Sequence, residues 1–190
     1  MRVLIGCEES QVVTQAFRKL GHDAWSCDIQ PTRGEPAFHF QQDIMTVLHM
    51  DWDLIILHPD CTAMAVSGNR WYGKGKPRNQ ERHDAISWTV NLWHWATKYA
   101  PKVVLENPVG VIFQHLNPKP LMQYIQPHQF GHGETKKTGL ALHNVLPLIP
   151  TNEVDGREQR VWKMAPGPNR KRDRAATYPG VAYAMADQWS

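Results

Sequence analysis

Short apolar runs that recur along the first 105 residues predict buried strands. Three of these runs contain no polar residue, at positions 3–5, 54–57 and 103–105, as is typical of strands that are covered on both faces. Residues 23–28 predict a further strand that ends on an acid. Because helical segments separate the strands, the pattern predicts an α/β fold in which helices cover both faces of a mostly parallel sheet.

Amphipathic helices are predicted in three places. The first has one apolar face, made of Val12, Val13, Ala16, Phe17 and Leu20. Ser10 can cap this helix and Gly21 can end it. A long helix is predicted over residues 80–99, where Pro101 follows, and a final helix over residues 178–189. Beyond residue 117 the chain is richer in proline and polar residues, so the pattern of apolar positions predicts fewer elements there.

Length and composition agree with a single globular domain over residues 1–190. The chain is 42% hydrophobic and 21% charged, which is ordinary for a protein with a packed core. Its longest apolar run is too short to cross a bilayer, so no membrane partner is expected. No signal peptide is predicted at the start. Three widely spaced cysteines form no disulfide framework, which favours a cytoplasmic location.

Charge is distributed unevenly along the sequence. Residues 1–60 contain four Lys or Arg and nine Asp or Glu, whereas residues 61–190 contain 17 and nine. A basic second part suits a partner that bears phosphates. The alternative is an uneven surface charge without a specific role.

Polar side chains follow the predicted strands, at the edge where open α/β sheets bind ligands. Cys61 and Glu106 come after two successive strands. A thiolate nucleophile and a carboxyl group that exchanges a proton can act together on one ring. The alternative is that Cys61 fills space in the core and Glu106 caps a helix or pairs with a cation.

Three motifs resemble those of the cytosine C5 DNA methyltransferases. Their Pro-Cys motif is similar to His-Pro-Asp-Cys at 58–61, and their Glu-Asn-Val motif is similar to Glu-Asn-Pro-Val at 106–109. Tyr-Pro-Gly-Val at 178–181 resembles their closing motif. The resemblance implies a Rossmann-like fold, S-adenosylmethionine as cofactor and methyl transfer to C5 of cytosine. It implies that Cys61, Glu106 and Asn107 are catalytic.

The resemblance also implies the binding residues. The cofactor set comprises Gly6, Glu8, Asp28, Asp43, Pro59 and Tyr178. Within it, Asp28 lies where the family binds the ribose hydroxyls, Asp43 near the adenine amino group, and Glu8 near the charged amino group. The substrate set comprises Ser67, Asn69, Arg70, Trp71, Lys136 and Lys137, of which the two lysines replace a Gln-x-Arg-x-Arg motif.

The sequence departs from the family pattern in two respects. Asp60 stands where the family has proline, and its carboxylate should raise the pKa of the Cys61 thiol. No room is predicted for a long target-recognition region before the closing motif, as in a compact phage-type member. Either a separate specificity subunit recognises DNA, or recognition is minimal, or the substrate is a free cytosine nucleotide. A catalytically inactive nucleic-acid-binding homologue is a further alternative.

Two basic stretches favour binding of phosphates and stacked bases. The first, predicted as a loop over residues 67–78 and continuing to Arg82, surrounds Trp71 and Tyr72 with Arg70, Lys74, Lys76, Arg78 and Arg82. The second covers residues 157–174 around Trp162. The alternative is that both are solvated polar loops.

Among the ten histidines, no HxxxH or HxH pair encloses a carboxylate as in zinc-binding motifs. No metal is predicted. His58, His132 and His143 are interpreted as structural side chains or as polar lining of the cleft.

Overall fold

A seven-stranded sheet forms the centre of the computed structural model, which describes all 190 residues. The strands are β1 (Arg2–Gly6), β2 (Asp23–Asp28), β3 (His39–Gln41), β4 (Leu54–Leu57), β5 (Lys102–Pro108), β6 (Leu121–Ile125) and β7 (Thr138–His143). Their order is β3-β2-β1-β4-β5-β7-β6. Only β7 runs antiparallel to its two neighbours, β5 and β6. The prediction of a mostly parallel sheet is confirmed.

Helices cover both faces of this sheet. They are α1 (Val12–Lys19), α2 (Asn79–Tyr99), α3 (Arg160–Lys163), α4 (Arg170–Ala175) and α5 (Pro179–Gln188). The apolar side chains of α1 and α5 share one core with Val3 and Ile5 of β1, whereas those of α2 share the other core with Leu4. Alternate residues of β1 therefore enter opposite cores, which explains why the strand is apolar throughout. No helix is long and apolar enough to cross a membrane.

Two side chains accept hydrogen bonds at the start of α1. The predicted residue, Ser10, accepts from the Val12 backbone N–H at 3.4 Å, and Glu8 makes shorter contacts. The carboxylate of Glu8 accepts hydrogen bonds from the backbone N–H groups of Val13 at 2.7 Å and Thr14 at 3.2 Å. It also accepts one from the Thr14 hydroxyl. Glu8 is a stronger acceptor because it carries a negative charge at the positive end of the helix. Gly21 follows the helix with φ 85°, as a C-terminal glycine should.

Strand β5 is longer than the apolar run within it. Antiparallel pairing with β7 continues through Glu106, Asn107 and Pro108, so the ladder includes polar residues that the pattern placed after the strand. The long-range partner supplies the backbone hydrogen bonds that make these residues a strand.

Candidate active site

Cys61 and Glu106 lie at the carboxyl edge of two neighbouring strands, as predicted. Leu57 of β4 pairs with Leu105 of β5, so the residues that follow them are side by side. The His58 Nδ1 lies 2.9 Å from Glu106 Oε2, and the two side chains are 10% and 11% exposed. The register of the parallel pair therefore positions this contact.

Two neighbours of the buried Glu106 carboxyl group favour its ionised form, His58 through a hydrogen bond and Lys136 through its positive charge. Burial opposes its ionisation, but the hydrogen bond from His58 and the charge of Lys136 outweigh that effect and lower its pKa. Glu106 is therefore ionised at neutral pH in the free protein.

The Cys61 thiol lies in an environment that disfavours the thiolate. Burial raises its pKa, the charges of Glu106 and Asp60 raise it further, and Lys136 has the opposite effect. The negative charge of Asp60 therefore raises the pKa of the Cys61 thiol, as expected, although the charge of Glu106 raises it more.

Asp60 has partners on both carboxylate oxygens. Its Oδ1 accepts from the Thr62 backbone N–H at 2.9 Å and from the Thr62 hydroxyl. Its Oδ2 accepts from Lys171 Nζ at 2.7 Å. Although burial opposes ionisation, the hydrogen bonds from Lys171 and Thr62 lower the pKa of Asp60. Asp60 thus begins the turn that carries Cys61, and Lys171 offsets part of its charge.

Asn107 and Gly110 hold the loop of Cys61 against the loop that follows β5. The side-chain amide of Asn107 donates to the Pro59 carbonyl at 3.1 Å. Gly110 forms an isolated bridge with Ala65, and a Cβ at Gly110 would overlap the Met64 carbonyl oxygen. Close backbone approach at this glycine keeps the two loops together.

A small, open pocket adjoins Glu106. Its lining residues are Glu106, Ile125, Pro127, Lys136, Thr138, Thr177, Tyr178 and Val181. Lys136 Nζ lies 5.9 Å from the centre of the Tyr178 ring. The structure therefore brings together predicted residues from three distant parts of the sequence. Lys137 is not among them, because its Nζ lies over the Tyr124 ring at 4.8 Å.

Tyr178 is held by partners that the sequence did not single out as site residues. Its hydroxyl donates to Glu134 at 2.6 Å, and its ring lies at a tilt against His132. Burial and the contact with Glu134 raise the pKa of Tyr178 to about 12. The backbone N–H of Gly180 donates to His132 Nε2 at 3.0 Å. Only the fold brings residues 132 and 134 to the closing motif.

Two predicted cofactor acids lie at the carboxyl edge, at or just beyond the ends of their strands. Asp28 ends β2, is half-buried, and accepts from the Gln30 backbone N–H at 2.8 Å. Burial raises its pKa. Asp43 follows β3, is exposed, and accepts from the Met45 backbone N–H at 3.0 Å. Hydroxyl and amine donors of a ligand fit such acceptors.

Gly6 and Glu8 have structural roles that were not predicted for them. A Cβ at Gly6 would lie 2.7 Å from Ile44 Cδ1 and 2.9 Å from Leu57 Cδ2. Glycine is needed there because these side chains occupy the space that was expected to admit a cofactor. Both carboxylate oxygens of Glu8 accept hydrogen bonds from α1. Cofactor binding by Gly6 and Glu8 stays a prediction.

The basic loop after Cys61 contains both structural and exposed cations. Arg82 is only 9% exposed; it donates to the Ala63 carbonyl at 2.7 Å and to Asn69 Oδ1 at 2.9 Å. Its assignment to a phosphate-binding surface is therefore wrong, because its guanidinium anchors the loop.

Among the other cations of this loop, Arg78 pairs with Glu81. The remaining cations Arg70, Lys74 and Lys76 are exposed and form no ion pair, and Ser67 and Trp71 lie exposed on the same loop.

The second basic stretch includes α3 and α4. Arg160 pairs with Glu134 at 2.8 Å, and Lys171 pairs with Asp60. Trp162 is 74% exposed. Two cations of this stretch are thus used to attach it to residues beside Tyr178 and Cys61. No group of three or more His, Cys, Asp or Glu side chains could hold a metal ion.

No protein-family model and no curated protein matches the sequence. The structure is similar to that of an E. coli prophage protein described as a DNA modification methyltransferase, with a TM-score of 0.56 and 10% identity over 87% of this chain and 55% of that chain. The fold is that of the S-adenosylmethionine-dependent methyltransferases.

Two further structures share this fold. The Dnmt2 methyltransferase of S. pombe aligns with a TM-score of 0.50 and 16% identity, over 86% of this chain and 55% of that chain. The methyltransferase EhMeth of Entamoeba histolytica aligns with a TM-score of 0.52 and 9% identity, over 84% and 57%. This chain spans little more than half the length of the methyltransferases that it resembles. The predicted Rossmann-like methyltransferase fold is confirmed.

Proposed function

We propose that this chain is an S-adenosylmethionine-dependent methyltransferase that transfers a methyl group to C5 of cytosine in DNA. The observation that carries this proposal is the grouping of Cys61, Glu106 and Lys136 at the carboxyl edge of a methyltransferase-fold sheet. A nucleophile, a carboxyl group and a cation that are close enough for their charges to interact meet the needs of addition to a cytosine ring. In this proposal residues 1–190 act as a single compact domain of the phage type.

The acids at the carboxyl edge would hold the cofactor. S-adenosylmethionine supplies a methyl group from its sulfonium when it is bound. Asp28 offers an acceptor for the ribose hydroxyls and Asp43 one for the adenine amine. Because burial raises the pKa of Asp28, hydroxyl donors would stabilise its carboxylate. Pro59 and Tyr178 complete the set, since Pro59 precedes Cys61 by two residues and Tyr178 lines the pocket of Glu106.

Cys61 and Glu106 would activate the cytosine ring together. The Glu106 carboxylate takes the proton of the Cys61 thiol and passes it to N3 while the sulfur forms a bond to C6, so that C5 gains nucleophilic electron density. After C5 has been methylated, its proton passes to water, the bond between Sγ and C6 breaks with the electron pair on sulfur, and N3 returns its proton to Glu106, which restores the aromatic ring. Asn107 keeps Cys61 near Glu106 through the Pro59 carbonyl.

The charges around Cys61 determine when this addition occurs. The thiol is protonated in the free protein because burial, Glu106 and Asp60 raise its pKa. Lys136 favours both the thiolate of Cys61 and the carboxylate of Glu106. Lys136 is therefore proposed to stabilise the negative charge that moves between the two groups during the reaction.

The runner-up substrate is a free deoxycytidine nucleotide. Between the end of β7 and the start of α5, the chain has only the short helices α3 and α4. These two helices provide little surface for recognition of a DNA sequence, so a separate specificity subunit is proposed for the DNA version. A free nucleotide would need no such subunit.

Incubation with methyl-labelled S-adenosylmethionine tests the function and the substrate together. Duplex DNA, single-stranded DNA and dCMP are the three substrates, and nucleosides are analysed afterwards. Label in 5-methylcytosine is expected in at least one arm with the wild type and with Cys27→Ser, and in none with Cys61→Ser. Cys27 is the matched control because it is a buried cysteine of β2 whose thiol donates to the Gln42 carbonyl and has no contact with Glu106. Absence of label from every arm, or undiminished label with Cys61→Ser, would contradict the proposal.

A further inference from the structure

His58 is the partner of Glu106 within the buried part of the site. Its backbone N–H donates to the Gly6 carbonyl at 2.9 Å, so β1 fixes the position of the residue. Its Nδ1 lies 2.9 Å from Glu106 Oε2. The imidazole is therefore held at both its backbone and its ring.

The chemistry of the contact identifies the hydrogen on the ring. An ionised carboxylate can only accept hydrogen bonds, so Nδ1 must carry the hydrogen. The other nitrogen, Nε2, is buried and has no partner. A bare acceptor lone pair at Nε2 costs less in such a place than a charged N–H group without an acceptor. The arrangement fits a neutral imidazole with its hydrogen on Nδ1.

The hydrogen bond also leaves one carboxylate oxygen for the pocket. Oε2 of Glu106 is bound to His58, whereas Oε1 forms no hydrogen bond within the protein. The groups that face Glu106 are His58 after β4, Lys136 before β7 and the Cys61 thiol. Tyr178 lines the same pocket and directs its hydroxyl to Glu134 instead.

We propose that His58 is a positioning residue that holds Oε2 of Glu106, directs Oε1 toward N3 of the base, and stabilises the carboxylate before it takes up the proton of the Cys61 thiol and after that proton has passed to N3. This inference rests on the proposed function for the identity of the base. Oε1 takes the proton of the Cys61 thiol, whose electron pair stays on sulfur and forms the bond to C6. The bond from Oε1 to that hydrogen then breaks as the bond from N3 to hydrogen forms, and its electron pair stays on the carboxylate. The hydrogen on Nδ1 of His58 remains in place throughout.

Nuclear magnetic resonance tests the coupling without any enzymatic activity. In the wild type, ¹⁵N shifts of the imidazole are expected to show hydrogen on Nδ1, and ¹³C-labelled glutamate gives the titration of Glu106, identified by its loss in Glu106→Gln. His58→Leu should move that titration to higher pH, because the carboxylate loses a donor. His58→Asn should restore it, because the amide N–H of asparagine lies near the position of Nδ1. A wild-type ring with hydrogen on Nε2 only, or an unchanged titration in folded His58→Leu, would overturn the proposal.

Kinetics then test the role in methyl transfer. His58→Leu should lose roughly tenfold in kcat with little change in KM, and its pH profile should move to higher pH. His58→Asn should recover both. If the resonance results hold and no variant or wild type methylates cytosine, the proposed function fails while the pairing of His58 and Glu106 stands. If the wild type methylates cytosine and His58→Leu has the same kcat and pH profile, the positioning role is wrong and the function stands.

Discussion

Lys171 and Asp60, which are 111 positions apart in the sequence, form an ion pair with Nζ 2.7 Å from Oδ2. This pair attaches α4 to the turn that carries Cys61. It also places a positive charge close to a carboxylate that disfavours the Cys61 thiolate. The second basic stretch thereby influences the proposed nucleophile.

Replacement of Lys171 and replacement of Asp60 should change the reactivity of the Cys61 thiol in opposite directions. Lys171→Met leaves the Asp60 charge uncompensated, so the pKa of Cys61 should rise and alkylation by iodoacetamide at pH 8 should slow by about two- to fivefold. Asp60→Asn should accelerate it. The matched control is Arg172→Met, because Arg172 pairs with Asp173 within the same helix. Equal rates in Lys171→Met and Arg172→Met would show that the pair does not act on Cys61.

A cytosine with fluorine at C5 should trap the proposed intermediate. The fluorine cannot leave as a proton does, so the bond between Cys61 and C6 should persist in the presence of cofactor and survive denaturation. Mass spectrometry should find the adduct on Cys61, none in Cys61→Ser, and much slower formation in Glu106→Gln, which lacks the acid for N3. An adduct on Cys7 or Cys27 would rule out the covalent role of Cys61.

Asp28→Ala should weaken the binding of S-adenosylmethionine by about tenfold or more, because a charged acceptor for hydroxyl groups is lost. Isothermal calorimetry measures the affinity. The matched control is Asp23→Ala, since Asp23 starts the strand that Asp28 ends. Burial raises the pKa of Asp28, so affinity should begin to fall at a higher pH during acidification than for an exposed aspartate. Equal affinities of the two variants would remove Asp28 from the site.

Replacement of Arg70, Lys74 and Lys76 by glutamine should weaken DNA binding and reduce its dependence on salt. Each lost phosphate contact should lower the slope of log K against log salt by about 0.9 for duplex DNA. Arg78→Gln is the matched control, because Arg78 already pairs with Glu81. Fluorescence anisotropy over a range of salt concentrations measures both effects. A DNA affinity that does not change with salt would contradict the DNA version of the proposal.

Gly180→Ala should destabilise the protein by about 1–3 kcal/mol, because the added Cβ would overlap the Phe130 carbonyl oxygen. Urea denaturation followed by circular dichroism measures the loss. Gly167→Ala is the control, since a Cβ there meets nothing within 4 Å. A loss in Gly180→Ala no greater than in the control would show that the closing motif can shift away from residue 130 without cost.

Elements with a local signal could be predicted from the sequence. The apolar runs of β1 and β4 and the periodicity of α2 and α5 match the structure, because burial on one or two faces imposes its pattern directly on neighbouring residues. Cys61 and Glu106 could be assigned to one edge of the sheet from the sequence, because each follows an apolar run and the carboxyl ends of parallel strands meet at the same edge.

Contacts between distant segments needed the tertiary structure. No local pattern distinguishes Lys136, which lines the pocket, from Lys137, which lies over Tyr124. No local pattern shows that Arg82 is buried beneath its own loop either. Glu8 joins Ser10 at the start of α1 because the chain folds its carboxylate onto the helix. The sequence by itself determined which residues are apolar, charged or nucleophilic and how they alternate. The fold alone decided which of them meet, because pairing across tens of residues depends on strand register and on the packing of segments that carry no mutual signal.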